Sequence, residues 1–348
     1  DVMELQHENR ILVKEGLKRL NQTKSIGMRS LIASNKLDLG GIRAYHIGFV
    51  LGPCLNASGR LDTAKKALLL LKTKDEVDAG KLAEELVELN TNRKSLTEKG
   101  IEDAMQCIET QGLSEDRVLV IYLPDCHESI AGIIAGRVRE KYNKPTFVLT
   151  DAEQGVKGSG RSIEEYDMYS ELTKVKSLLT KFGGHKMAAG ISLEEKNIDL
   201  FRKMLNENCN LTEEDLYLKV WIDIALPLEY ITMDFVNQLE VIKPYGKGNE
   251  KPVFAEKNLK IISLQILGKS GNVIKMVVEN QNHYRMTAVK FNSAVDFMAF
   301  LSEKFGEEEV NKALQGQKNN LKIMATYYPE INEYNGRINL QIIIDRFC

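Results

Sequence analysis

Val118-Leu119-Val120-Ile121-Tyr122 is a short run without a charge, preceded by Glu115-Asp116-Arg117. An amphipathic segment, Ser129 to Tyr142, follows it, and then Thr146-Phe147-Val148-Leu149. Apolar runs this short, rich in β-branched and aromatic residues, read as buried strands, and the segment between them has helical periodicity. The order β-α-β defines an α/β unit. A Gly-rich segment comes next, and the pattern predicts a helix near Tyr166–Phe182, a Gly-Gly turn and a last helix near Asn197–Asn208. The unit is expected to occupy residues 113–212.

Upstream, residues 75–111 read as one long helix. Leu82, Leu86, Leu89 and Leu96 recur on one face, Ala104, Met105 and Ile108 continue it, and no Pro interrupts. About 35 residues of helix span roughly 50 Å, so residues 73–112 are expected to connect two domains. The other reading is a helix bent or broken at Gly80 or Gly100. Residues 1–72 mix helices with Gly-rich turns, and Val13, Leu17 and Leu20 keep helical spacing.

Downstream, the character changes. Leu216–Ile224, Leu259–Leu267, Val273–Val278, Arg285–Phe291, Leu321–Tyr328 and Arg337–Ile344 read as strands, with turn chemistry at Ser270-Gly271-Asn272 and Asn335-Gly336. Helices near Asp234–Ile242 and Ala294–Phe305 interrupt them. This pattern fits a small Greek-key barrel of the OB type over residues 213–348.

Composition bounds the function. Lys and Arg number 47 against 49 Asp and Glu, a formal charge of −2, so any polyanion must be met by a local basic cleft rather than by the whole surface. No apolar run reaches the ~18 residues of a membrane-spanning helix. The first residues lack the basic start and apolar core of a signal peptide. The five Cys and five His are dispersed, with no CxxC, HxH or HxxxH spacing, which argues against a structural zinc site or disulfide framework and fits a reducing cytoplasm. The chain starts at Asp1 rather than Met and is expected to be part of something longer.

Four segments carry candidate chemistry. In Gly52-Pro53-Cys54-Leu55-Asn56-Ala57-Ser58-Gly59-Arg60-Leu61, small residues allow a tight turn that projects Arg60, a side chain suited to bidentate grip on phosphate; a helix–helix loop with a structural salt bridge is the bland reading. In Gly158-Ser159-Gly160-Arg161-Ser162, two glycines allow close approach to an anion, main-chain N–H groups in a nest, and three side-chain donors; a Gly-rich hairpin is the alternative. Phe182-Gly183-Gly184-His185-Lys186-Met187-Ala188-Ala189-Gly190 reads as a Gly-Gly turn opening a helix, with His185 and Lys186 near an anion-attracting N-terminus. Lys243-Pro244-Tyr245-Gly246-Lys247-Gly248-Asn249-Glu250 reads as a loop at the barrel. Neither a P-loop, a GxSxG elbow nor a carboxylate–histidine cluster is present.

Taken together, these segments resemble RecJ, the bacterial single-strand-specific 5′→3′ exonuclease family of the DHH superfamily. GPCLNASGRL is similar to its GPxxNAxGRL segment. His127-Glu128-Ser129-Ile130-Ala131-Gly132-Ile133 resembles its W-H-x-G-V-x-G-I segment, departing at Cys126 and Ser129. GSGRS and FGGHKMAAG resemble its DHHA1 domain, and KPYGKGNEKPVF the segment leading into its OB-fold. Five matches fall in order across nearly the whole chain.

The resemblance implies an α/β plus β architecture: the tail of a DHH α/β domain, a long connecting helix, a DHHA1 α/β domain and an OB-type β-barrel. It implies two-metal phosphodiester hydrolysis with Mn²⁺ or Mg²⁺ in DNA repair and recombination. Arg60 would contact the phosphate near the scissile bond. Ser159, Gly160, Arg161 and Ser162 would bind the 5′-terminal phosphate, and Gly183, Gly184 and His185 would line the same cleft. Asp1 aligns with the last family metal ligand, and the others are missing, so this chain alone is expected not to cleave DNA. Single-stranded DNA is the implied partner, with single-strand-binding protein and a helicase as family expectations. Tyr245, Tyr284 and Phe291 are candidate base stackers in the barrel. Two other readings stay open: a DHH–DHHA1 phosphodiesterase of short oligonucleotides or cyclic dinucleotides, and a non-catalytic single-strand-binding scaffold.

Overall fold

The structure, a computed structural model, describes residues 3–268, 271–291, 294–334 and 336–348. Asp1 and parts of the two predicted turns, Ser270 and Asn335, lie outside these. The chain divides into two compact units: Gly16–Lys219, and Val220–Cys348 with the N-terminal segment up to Glu15.

The first unit begins with helices: α1 (His7–Leu20, whose first half belongs to the other unit), α2 (Ile26–Ser34), α3 (Ala44–His46), a π-turn at Ile47–Leu51, α4 (Gly52–Leu61) and α5 (Lys65–Lys72). α6 (Glu76–Thr110) then runs without interruption for 35 residues. Asp75 starts it by accepting the Asp78 N–H at 2.8 Å, and Glu76 and Asp78 suit the positive end of its dipole. Ala79, Ala83 and Leu86 pack with α2 and α5 in one core, whereas Ala104 and Ile108 pack in another. The helix is not broken at its glycines: Gly100 is where α7 approaches, since a Cβ there would lie 2.4 Å from Ile134 Cδ1.

The α/β part continues with β1 (Leu119–Tyr122), α7 (Glu128–Tyr142), β2 (Thr146–Asp151), β3 (Val156–Arg161), α8 (Met168–Lys174), β4 (Leu179–His185), β5 (Ala188–Leu193) and α9 (Ile198–Glu207). The sheet order is β1-β2-β3-β5-β4, parallel between β1 and β2 and antiparallel elsewhere. α7 and α6 cover one face with Ile130, Ile134 and Val138. The other face buries Phe147 against Phe201 edge-on, with ring centroids 5.5 Å apart, a geometry worth about 0.5–1.5 kcal/mol beyond area burial.

Two expectations fail here. The helix predicted over Tyr166–Phe182 is only α8, capped by Asp167, and the chain from Leu179 is strand. The segment after Gly183-Gly184 is a β-hairpin, not a helix: His185 pairs with Ala188 and Gly183 with Gly190. Gly184 has φ +153°, a conformation side-chain-bearing residues rarely adopt, and a Cβ there would meet the Ala188 oxygen at 2.3 Å. Small residues read as helix formers are instead what lets β4 and β5 approach.

The first unit ends with α10 (Glu213–Leu216), and the second carries β6 (Ile224–Ala225), α11 (Met233–Leu239), β7 (Phe254–Leu267), β8 (Val273–Glu279), β9 (Arg285–Phe291), α12 (Ala294–Phe305), α13 (Glu307–Leu314), β10 (Lys322–Tyr334) and β11 (Arg337–Phe347). Strands β10-β11-β9-β8-β7 are neighbours in that order, and β10 also pairs with β7, which closes the OB-type barrel. Of the strand predicted over Leu216–Ile224 only β6 exists. Leu216 ends α10, and residues 217–223 have no partner strand among the described residues and stay exposed, Trp221 at 85%.

The Pro244–Glu250 loop is a clasp. Leu5 donates its N–H to the Lys247 oxygen at 2.7 Å, Gln6 Nε2 to the Gly248 oxygen at 2.6 Å, and Arg10 Nη2 to the Val241 and Lys243 oxygens at 2.9 and 3.1 Å. A Cβ on Gly246 would stand 2.5 Å from Leu5 Cδ1, so glycine makes room for the N-terminal segment. Tyr245 is half-buried with its hydroxyl 2.8 Å from that of Tyr328, which removes it as a base stacker.

Candidate nucleic-acid interface

The strand alternation of β3 sorts the GSGRS residues. Gly158 and Gly160 face the core: a Cβ on Gly160 would lie 2.4 Å from Met168 Sδ and 2.6 Å from the Phe147 ring. Ser159 and Arg161 point to the opposite face, under α7. β3 is paired on both sides, to β2 and β5, so its main-chain groups are engaged in ladders and form no nest. Ser162 is 2% exposed and its hydroxyl donates to the Tyr166 oxygen at 2.7 Å. The structure thus brings Ser159 and Arg161 to the site, and leaves Gly160 and Ser162 as packing residues.

α7 supplies the roof. His127 caps it by accepting the Ser129 N–H at 3.2 Å, and Ser129 Oγ stands 2.8 Å from His127 Nδ1. Gly132 in its second turn leaves room below: a Cβ there would be 2.9 Å from Arg161 Nη2 and 3.4 Å from Ser159 Cβ. Arg161 Nη1 donates to its neighbour's oxygen, Gly160, at 2.8 Å. Arg60, at the exposed end of α4, donates from Nη1 to the Ser129 oxygen at 2.6 Å. Arg60 and Arg161, 101 positions apart in sequence, therefore both meet the N-terminal end of α7, one at Ser129 and the other at Gly132.

Burial lowers the pKa of Arg161, and the charges of Arg60 and Arg139 push it the same way. The group stays protonated, since arginine begins far above neutral pH, and the repulsion marks a local excess of positive charge. An open cleft of about 540 Å³ lies beside Ser129 and Ser159, with Lys157, Lys181, Phe182 and Gly183 also in its lining; Arg60 and Arg161 stand next to these residues without lining it. Glu128, paired with Lys157 at 2.7 Å, is the one acidic residue in its lining among the described residues. Gly184 serves the β4–β5 approach, and His185 is exposed at the hairpin, where its Nδ1 accepts the Met187 N–H at 3.3 Å; neither lines the cleft.

The barrel holds a second cleft of about 280 Å³, lined by Lys275, Tyr284, Arg285, Asn332, Asn339, Gln341 and neighbours. Tyr284 is 40% exposed there, whereas Phe291, exposed at the end of β9, is not part of its lining.

Among the described residues, no three His, Cys, Asp or Glu side chains gather where they could hold a metal ion. Asp1, the carboxylate that the resemblance marks as a ligand, lies outside those residues. The described donors do not fit a Mn²⁺ or Mg²⁺ centre. No helix among the described residues is long and apolar enough to cross a membrane.

Sequence reasoning did not put Gly132, the Ser129 carbonyl or Lys181 in the site. HESIAGI carried the small residue at a helical position, but only the packing of α7 on β3 shows what it makes room for.

Comparisons with known proteins follow the same order of parts. The family model described as the DHHA1 domain matches residues 115–211, and that described as the RecJ OB domain matches residues 222–346. The chain is 32% identical over 357 residues to the single-stranded-DNA-specific exonuclease RecJ of Escherichia coli, covering 99% of this chain and 58% of that protein. It is 32% identical over 296 residues to the protein of the same name from Bacillus subtilis, covering 84% of this chain and 37% of that one. The crystal structure of RecJ from Thermus thermophilus in complex with Mg²⁺ matches all of this chain and 50% of its own, with a TM-score of 0.81 at 25% identity. A second crystal structure from that organism, in complex with Mn²⁺, matches with a TM-score of 0.79. The chain spans well under two thirds of each of these relatives.

Proposed function

We propose that the chain is the C-terminal part of a RecJ-family protein, to which nearly its whole length is similar, and that it is the strand-holding portion of a single-stranded-DNA-specific 5′→3′ exonuclease. The observation that carries this reading is the Arg60–α7–Arg161 arrangement, two guanidiniums without a carboxylate partner among the described residues, beside Ser159 and an open cleft. Arg161 and Ser159 bind the 5′-terminal phosphate, and Arg60 grips a phosphate further along, through charge-assisted hydrogen bonds. A guanidinium held in a half-buried site has paid its desolvation already and is poised for a dianionic group. Recognition of a terminal phosphate sets which end of a strand enters, and so gives the direction of digestion.

In the barrel, Tyr284 offers a stacking face, with Lys275 and Arg285 nearby for the backbone. Arg285 is also tied to Glu279 at 2.6 Å, so Lys275 is the less encumbered cation. The hydrolytic step needs divalent metal in a site that the described residues do not form, so no part of it is assigned to them.

The test is binding of labelled single-stranded DNA with a 5′-phosphate or a 5′-hydroxyl, alongside Arg161→Ala. A hydrogen-bonded charge contact worth ~1.5–3 kcal/mol predicts a preference of roughly tenfold or more for the phosphate, erased by Arg161→Ala. Equal binding of both ends by the parent chain overturns the reading.

A further inference from the structure

The middle of α6 departs from the pattern of its ends. Its buried stripe steps through Ala83, Leu86, Asn90, Thr97, Gly100 and Ala104. The position that completes the three-and-four spacing between Asn90 and Thr97 is Arg93, a charged residue where helix packing calls for an apolar one. Leu86 belongs to the helical core and Ala104 to the core under β1 and β2. Asn90, Arg93 and Thr97 thus occupy the gap between two cores, on the side where α6 meets α4 and α7.

Arg93 is half-buried and aimed. Its Nε donates to Asn90 Oδ1 at 3.1 Å, and Asn90, 4% exposed, donates from Nδ2 to Cys54 Sγ at 3.4 Å. Cys54 lies on α4, the helix that carries Arg60. Burial, followed by the charge of Arg60, lowers the pKa of Arg93. Arg60, Arg93 and Arg161 are each met by an amide or main-chain oxygen, and none is ion-paired to a carboxylate among the described residues. Placing an arginine in a helix stripe next to a second one, with no acid to compensate, costs the free protein stability. Such an arrangement favours an anionic ligand.

Resting on the reading of Arg60 and Arg161 as phosphate contacts, we propose that Arg93 is a third: it holds a phosphodiester of the single strand neighbouring the one at Arg60, with Asn90 as the positioning residue that sets its guanidinium. The strand then runs from the α7 roof along the α4–α6 side of the gap.

The experiment is equilibrium binding of a 5′-phosphorylated oligodeoxythymidylate to the 348-residue chain across a salt series. Arg93→Gln is expected to reduce the slope of log K against log salt by about 0.7, the value of one phosphate contact on a single strand, and to weaken binding severalfold at the lowest salt. Arg93→Lys, which keeps the charge, is expected to retain the slope. Arg93→Met keeps the stem packed, carries the same expectation as Gln, and guards against a Gln variant that fails to fold. A purely structural arginine would shift the melting temperature in all three and leave the slope at the parent value, which overturns the proposal. The preference for a 5′-phosphate is read in the same titrations. Its absence from the parent chain overturns the end-binding reading instead.

Discussion

Arg60 Nη1 stands 2.6 Å from the main-chain oxygen of Ser129, joining the end of α4 to the first turn of α7 across 69 positions of sequence. The bond holds a guanidinium beside Arg161 while leaving most of its donors free, since it uses one of five N–H groups. Arg60→Ala is expected to weaken single-stranded DNA binding by roughly tenfold, in line with a charge-assisted contact. Its exposed position predicts a small change in melting temperature. Anisotropy titration beside a thermal melt checks both, and a large loss of stability with unchanged affinity would make Arg60 a structural brace.

Gly132 controls Arg161 by leaving space. In Gly132→Ala the new methyl group would stand 2.9 Å from Arg161 Nη2, the far end of a flexible side chain that is able to move away. The expected outcome is a folded protein, since alanine is a better helix former than glycine, with the 5′-phosphate preference reduced severalfold. A melting temperature equal to or above the parent, together with that loss, is the signature. A preference that survives unchanged would place the terminal phosphate elsewhere.

Gly246 is the seat of Leu5 in the clasp. Gly246→Val is expected to lift the N-terminal segment from the barrel loop and to speed tryptic cleavage after Arg10, whose guanidinium is otherwise bonded to the Val241 and Lys243 oxygens. Mass spectrometry of a digestion time course reads the cut, and an unchanged rate would show that the hydrogen bonds hold without the Leu5 contact.

Cys126, next to the α7 cap, has its thiol pushed up to about 11, first by burial and then by the Asp103 charge. Its reactive thiolate is therefore scarce at pH 8, about one part in a thousand. An alkylating reagent at pH 8 is expected to label the exposed Cys348 well before Cys126, and labelling of Cys126 should rise about tenfold per pH unit from pH 8 to 10. Peptide mapping checks the order, and equal rates at pH 8 would contradict it.

Much of the fold was legible along the chain because the signals are local. Apolar runs and their spacing located β1, α7, β2, the length of α6 and five barrel strands. The segments singled out for chemistry were legible only as segments: GPCLNASGRL is the helix α4 rather than a tight turn, and FGGH brings only Phe182 and Gly183 to the cleft. The failures share one cause. Glycines and alanines say that something comes close, without saying what. At Gly184 and Ala188 it is a neighbouring strand, where the sequence reading expected a helix terminus. At Gly160 it is Phe147 and Met168, where an anion was expected.

By itself, the sequence determined the order of parts, the absence of a long apolar span, and the residue types able to bind phosphate. Only the tertiary structure decided which of those residues share a site. Strand alternation sends Ser159 and Arg161 under α7 while it buries Gly160. Helix packing brings Arg60 to Ser129 and puts Arg93 in the gap between two cores. The physical reason is that a side chain's neighbours across a sheet or between helices are set by register and packing, which no local window of sequence contains.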